Sequence, residues 1–324
     1  MKKVASGLKS ASQMSCAKGQ EEDIMAKGCF NTNSILSWMG YFSQKMEVSP
    51  EKIKLLDICG RQKNVIPSVE THKRVLIFAD ETHEDLFYEL WEVGFGELDM
   101  WYSTGVEVNA LVKQCKIKDA INHKITEPTV IYVLNENTRE SYRIGMKNEM
   151  FSKGTIKYVG NEIRAVIMSM LDVDNQDTIC LVDAESIAIE AAFVAGDGTI
   201  ICVENDEGAK LTMEDNVKQF GVHNVTIIPS LEPENIDKIP VPRLSFIVAN
   251  KHLEEDIVRL LKKNPKMKFV IYTLEFDILS GIKALFEKYN ISNMEVTQIT
   301  VSKTDKKNMF VTQPSPWLIT GEVL

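Results

Sequence analysis

The sequence has little of what a metal site, a nucleic-acid surface or a membrane span is ordinarily built from. Its six cysteines (Cys16, Cys29, Cys59, Cys115, Cys180 and Cys202) form no Cys-x-x-Cys pair, and its five histidines are isolated. The spacings that hold zinc are missing, so no metal is expected. There is no basic tract, and the net charge is −9 over 324 residues. Nucleic-acid binding rests on Lys and Arg neutralising phosphates, so no such partner is expected either. No apolar run approaches the roughly 20 residues that cross a bilayer, so no membrane association is expected. Lys2 and Lys3 open the chain, but residues 10–15 are polar and Cys16 has no apolar lead-in. A secretory leader is therefore not expected, and the cytoplasm is the default compartment. A Gly-x-Ser-x-Gly nucleophile elbow is missing as well.

What is present is ordinary for a soluble globular chain: 44% hydrophobic and 26% charged residues. The length suggests two domains. Residues 1–32 show no sustained period and read as a mobile tail. Over 33–45, helical spacing places Ile35, Leu36, Met39 and Phe42 on one side, with Asn33 or Ser34 as the cap. Strands are expected at 54–59, 74–79, 98–102 and 129–134, with a helix at 84–93 stopped by Gly94 and Gly96. These elements define a small α/β domain over 33–150. From 151 to 324 the alternation is clearer. Apolar strands at 178–183, 199–204, 225–228, 244–249 and 268–273 are interleaved with helices, and the last helix precedes two extended runs, 294–301 and 309–320, expected to pair as a hairpin. Parallel strands joined by right-handed crossovers limit the topology to a few choices, Rossmann-like among them. Cys180 and Cys202 fall inside such strands and read as small buried hydrophobes.

Two stretches carry a resemblance. Ser186-Ile-Ala-Ile-Glu-Ala-Ala192, Thr199-Ile-Ile-Cys-Val-Glu-Asn-Asp206 and Asn216-Val-Lys-Gln-Phe-Gly-Val-His-Asn-Val225 follow one another, with Glu162-Ile-Arg-Ala165 upstream and Tyr272-Thr-Leu-Glu275 downstream. Together they resemble the decarboxylating, C15-methylating module of the precorrin-6Y methyltransferases of cobalamin biosynthesis. Cys59-Gly-Arg61, Leu76-Ile-Phe-Ala-Asp80 and Glu92-Val-Gly-Phe-Gly-Glu-Leu98 resemble the second half of the partner tetrapyrrole-methylase module, where a His-Gly-Arg stands in place of Cys59-Gly-Arg61. The resemblance implies a Rossmann-like class I methyltransferase domain, with a seven-stranded sheet ending in an antiparallel hairpin, behind a smaller α/β domain whose first half is missing. It also implies S-adenosylmethionine as methyl donor, a tetrapyrrole or corrinoid as substrate, and a homo-oligomer.

The donor site departs from that family. Its first strand should run into a glycine-rich turn, because the donor needs close backbone approach. Here Asp183, Ala184 and Glu185 precede Ser186, and no glycine is present. The family's Gly-Gly after the fourth strand becomes Ala249-Asn250, and the acid after the third strand falls at Leu231, with Glu232 beside it. Glu204 ends the second strand, where such folds place an acid for the ribose hydroxyls; capping the helix that follows is an equal use. The candidate donor residues are therefore Glu204, Asp183, Ser186, Asn205 and Glu232. Arg139 and Arg143, clustered with Lys147 about Tyr142, and Asn250 are the candidates for substrate carboxylates, since Arg suits carboxylates; a solvated linker is the plainer use of that charge run. Core positions match the family while ligand-facing positions do not. The expected function is a divergent homologue with a weak or lost donor site and a binding or regulatory role. A working precorrin methyltransferase and a structural subunit are the alternatives.

Overall fold

The computed structural model describes residues 29–61, 63–108, 111–138, 144–152, 159–184 and 186–323. Of the expected tail over 1–32, residues 1–28 lie outside the described residues, as do Glu185, Arg139, Tyr142 and Arg143, while 29–32 lead into the first helix.

The first half begins with α1 (Thr32–Lys45). Its cap is Asn31, whose side chain accepts from the Ser34 amide at 2.9 Å, two or three positions earlier than expected. The buried face is formed by Trp38 and Phe42, while Leu36 faces solvent. The Trp38 indole donates to the Val106 carbonyl at 2.8 Å, and Phe42 stacks on Tyr132 at 4.8 Å between centroids. That stacking lays α1 across the sheet formed by β1 (Lys54–Asp57), β2 (Arg74–Ala79), β3 (Asp99–Thr104), β4 (Lys113–Lys116) and β5 (Thr129–Leu134). The strand order is β1-β2-β5-β3-β4. Only the β1–β2 pair is parallel; β2–β5, β5–β3 and β3–β4 are antiparallel. Between β1 and β2 lies α2 (Val65–Thr71), which the sequence reading did not foresee. The expected helix over 84–93 is shorter: α3 (Leu86–Leu90) opens into a wider turn over Trp91–Phe95, broken at Gly94 with φ of 97°. A glycine fits that left-handed position because no Cβ opposes it.

The second half runs α4 (Asn161–Leu171), β6 (Thr178–Val182), α5 (Ser186–Val194), β7 (Thr199–Val203), α6 (Glu207–Phe220), β8 (Val225–Ile228), α7 (Pro233–Ile236), β9 (Leu244–Val248), α8 (Leu253–Lys263), β10 (Lys268–Thr273), α9 (Phe276–Lys288), β11 (Ser292–Gln298), β12 (Ser302–Thr304), β13 (Phe310–Thr312) and β14 (Trp317–Glu322). The seven-stranded sheet has the order β11-β14-β10-β9-β6-β7-β8. Strands β6 to β10 are parallel, and β14 runs antiparallel to both β10 and β11. The expected antiparallel pair at the sheet edge is present but is not one long hairpin. The run 309–320 divides into β13 and β14, so that β11 pairs with β14, while β12, just past the run 294–301, pairs with β13 in a separate two-stranded ribbon. The ribbon residues Met309 and Phe310 are exposed, which explains why burial pattern alone could not mark the break.

A core of Ile, Leu, Val and Phe fills both faces of this sheet. The most enclosed helix is α5, in which Ser186 to Ala192 are all buried. A helix apolar all round has to be covered on every side, and each Ile it buries contributes roughly 1.5–3 kcal/mol. Cys180 and Cys202 are buried in β6 and β7, and burial pushes both thiols upward, as expected of inert core cysteines.

The two sheets are joined through Asn64. Its amide nitrogen donates to the Ala192 carbonyl at 3.0 Å, and its oxygen accepts from the His223 amide at 2.8 Å. Beside it Ile66 packs on Gly221, which ends α6 in the left-handed region with φ of 59°. A Cβ there would come within 2.5 Å of the Ile66 Cβ. We expect Gly221→Ala to cost about 2–4 kcal/mol, combining the left-handed penalty with overpacking, as read by urea unfolding. A change below about 0.5 kcal/mol would show that the junction relaxes freely.

Candidate functional site

In open α/β sheets the ligand crevice lies beyond the carboxyl ends of the parallel strands, where the strand order reverses. Here that point is the β6–β7–β9 region, and the residues leaving those strands are Asp183, Glu204 and Asn250. The Asp183 amide donates to the Val203 carbonyl at 3.1 Å, and the Glu204 amide to the Ile228 carbonyl at 3.0 Å, so both acids leave the sheet in register.

Asp183 has φ of 55°, a left-handed conformation that glycine adopts freely and an aspartate holds at a cost. Asn250 donates to its carboxylate at 3.4 Å. Burial pushes the Asp183 carboxyl upward, and the Asn250 contact only partly offsets this. A further acid faces this region. Asp256 lies on the buried side of α8 with Leu253, Ile257 and Leu260. Burial pushes its carboxyl up to about 6; Arg259 at 3.7 Å and His252 work against the shift, while Asp183 and Glu255 add to it. The crevice thus combines a left-handed, half-buried aspartate with a second carboxyl that is half protonated in mildly acidic solution.

The other candidates are placed differently. Glu204 is buried at the end of β7, while Asn205 is exposed. Capping of α6 falls to Asp206, whose side chain accepts from the Ala209 amide at 2.8 Å, so that duty does not require Glu204. Glu232 is exposed and paired with Arg259 at 2.6 Å. Lys147 is exposed, and its expected neighbours Arg139 and Arg143 lie outside the described residues. A separate groove of about 720 Å³, lined in part by Arg61, Lys63, His223 and Asn224, sits at the opposite end of β7 and includes none of the candidate donor residues.

Ser186 leads to a group that sequence reasoning missed. Its hydroxyl accepts from Arg164 Nη1 at 3.0 Å. Arg164 is fully buried on α4, and its Nε meets Glu190 Oε1 of α5 at 2.5 Å. Nη1 also reaches the Asn148 side chain at 3.0 Å, and Nη2 the Met146 carbonyl. Glu190 in turn accepts from the Gly145 and Met146 amides, both at 2.9 Å. Phe151 covers the guanidinium at 4.8 Å. Every strong donor and acceptor of the pair is used, which is what makes a buried ion pair tolerable. The signal was legible: Glu190 is the one acid in an otherwise apolar helix, and such an acid requires a cation.

The sheet order and crevice define a Rossmann-like methyltransferase fold. The precorrin methyltransferase domain family matches residues 150–313, just over half of the chain, and this chain belongs to that family. A protein of Methanococcus maripaludis named probable cobalt-precorrin-6B C(15)-methyltransferase (decarboxylating) is 25% identical over 161 residues, covering 50% of this chain and 87% of that one. Its namesake in Sulfolobus acidocaldarius is 27% identical over 142 residues, covering 42% and 74%. The solved precorrin-6Y C5,15-methyltransferase of Geobacter metallireducens superposes with a TM-score of 0.52 at 26% identity, covering 55% of this chain and 96% of that one. The family match falls on the second half.

Two outcomes follow from the buried acids. Arg164→Met should cost about 3–5 kcal/mol, because it strands Glu190 in the core, whereas Arg164→Met with Glu190→Leu should recover most of that loss. Denaturant unfolding of the three proteins measures both. Asp256 has its folded pKa raised from the ordinary 3.8 to about 6. Its contribution is full below 3.8 and is lost as pH rises through 6, since the unfolded chain ionises first. Asp256→Asn should therefore flatten the stability profile between pH 4 and 6 and raise stability at pH 7 by on the order of 1 kcal/mol, after allowing for solvent screening.

Proposed function

We propose that this chain is a divergent precorrin methyltransferase homologue whose donor crevice no longer suits S-adenosylmethionine, and that it serves a binding or regulatory role toward a tetrapyrrole or corrinoid. The observation that carries this reading is Asp183, left-handed and half-buried at the end of β6, with Asp256 adding to the negative field around it. The donor presents its own carboxylate and needs close backbone approach at such a turn. A Cβ and a carboxylate stand there instead, so the residues present do not fit the group. Like charges in a partly dry cleft cost on the order of a few kcal/mol, which would move a micromolar site toward millimolar. On this reading the domain over 151–324 keeps the family's core without its ligand contacts, residues 33–150 are a relative of the tetrapyrrole-methylase second half, and the protein works as a homo-oligomer.

One observation favours the rival reading, an active S-adenosylmethionine-dependent, decarboxylating precorrin methyltransferase. Glu204 keeps its place at the end of β7, buried and not needed as a cap. Calorimetry with S-adenosylmethionine and its demethylated product, on the wild type and on Glu204→Ala, separates the two. We expect no heat, or affinity no tighter than about millimolar, in both proteins. Micromolar binding that Glu204→Ala abolishes would restore the methyltransferase reading.

A further inference from the structure

The cysteine spacing gives no hint of a metal site, but the fold assembles one. Cys29 precedes α1, Cys59 follows β1, and Asp80 follows β2. Because β1 and β2 are parallel neighbours, their carboxyl ends open on the same side, and α1 packs against that sheet. One ligand atom from each of the three residues lies within 4.8 Å of the other two. Cys29 Sγ is 3.4 Å from Asp80 Oδ2. The second Asp80 oxygen is already committed: Oδ1 accepts from the Thr82 amide at 3.1 Å and the Thr82 hydroxyl at 2.5 Å. This fixes the carboxylate and leaves Oδ2 facing the sulfurs.

The supports are rigid as well. Phe30, next to Cys29, is buried against Phe78 of β2 at 4.9 Å between centroids, which anchors the segment carrying the first thiol. Cys59 is buried; its amide donates to Asp57 at 3.3 Å, and Gly60 turns the chain away in the left-handed region. Asp80 is buried and Cys29 only half-buried, so the cluster opens to solvent on the Cys29 side.

We propose that Cys29, Cys59 and Asp80 bind a thiophilic divalent ion of the zinc class, with water as the fourth ligand. Two thiolates and one carboxylate suit such an ion, and tetrahedral Zn–S bonds of about 2.3 Å place the sulfurs about 3.8 Å apart. The cluster has to contract by at most about 1 Å, within reach of a cysteine side-chain rotation. Binding releases the two thiol protons, and the ion ties the lead-in of α1 to the β1–β2 edge. This site is separate from the methyltransferase crevice and does not depend on the function proposed above.

The test is a cobalt(II) titration of the full chain, stripped with chelator and kept under a non-thiol reductant. We expect one equivalent per chain, with a thiolate-to-cobalt charge-transfer band that zinc bleaches. Cys29→Ser and Cys59→Ser should each weaken binding at least tenfold and reduce the band. Asp80→Asn should weaken binding while leaving the thiolate band, and Cys115→Ser should match the wild type. Cys29 is half-buried, so its serine variant keeps the fold even if Cys59→Ser does not; circular dichroism checks both. No charge-transfer band in the wild type, or an equal band in Cys29→Ser, would overturn the site. So would a Cys29–Cys59 disulfide that forms in place of metal uptake.

Discussion

The contact between Arg164 and Glu190 organises the second half of this protein. Neither charge can remain buried without the other, because an isolated ion in the interior costs far more than a domain's net stability. Their pairing fixes α4 against α5, and the remaining donors and acceptors gather the 145–148 segment and Ser186 around them. Ser186 is the first residue of α5, so the network reaches the turn leaving β6. That turn therefore rests on a buried electrostatic knot.

The crevice is shaped by its backbone at Asp183. A left-handed Asp183 keeps the sharp turn that such a fold needs between its first strand and the helix after it. An aspartate in that conformation brings a Cβ and a charge that glycine lacks. Asn250, just beyond the end of β9, answers the charge with a hydrogen bond. The two side chains fit together, because the Asn250 amide offsets part of the cost of burying the Asp183 carboxyl.

Much of this was legible in the sequence. The parallel strands of the second sheet announced themselves as apolar runs, because both their faces are covered. The strand β4, of sequence Lys-Gln-Cys-Lys, gave no such signal: it lies at a sheet edge and buries little. The ribbon of β12 and β13 was hidden for the opposite reason, since Met309, Phe310 and Val311 look like core residues yet face solvent. At the site, Asp183, Glu204 and Asn250 were readable because each stands at a strand end. Asp256 was missed although it recurs with Leu253, Ile257 and Leu260 at helical spacing, a pattern that places a carboxyl indoors. The Cys29–Cys59–Asp80 group was beyond reach, because its members are separated in sequence and meet only through the β1–β2 pairing.

The place of β14 has a consequence for how the protein is made. This strand is the last of its sheet in the chain, yet it lies inside the sheet, between β10 and β11. During synthesis on the ribosome, β10 therefore emerges with one edge uncovered, and β11 has no partner in the sheet until β14 arrives. An apolar strand edge left open invites pairing with other nascent chains. A nascent chain stalled before residue 317 would carry a complete crevice but an unsealed sheet.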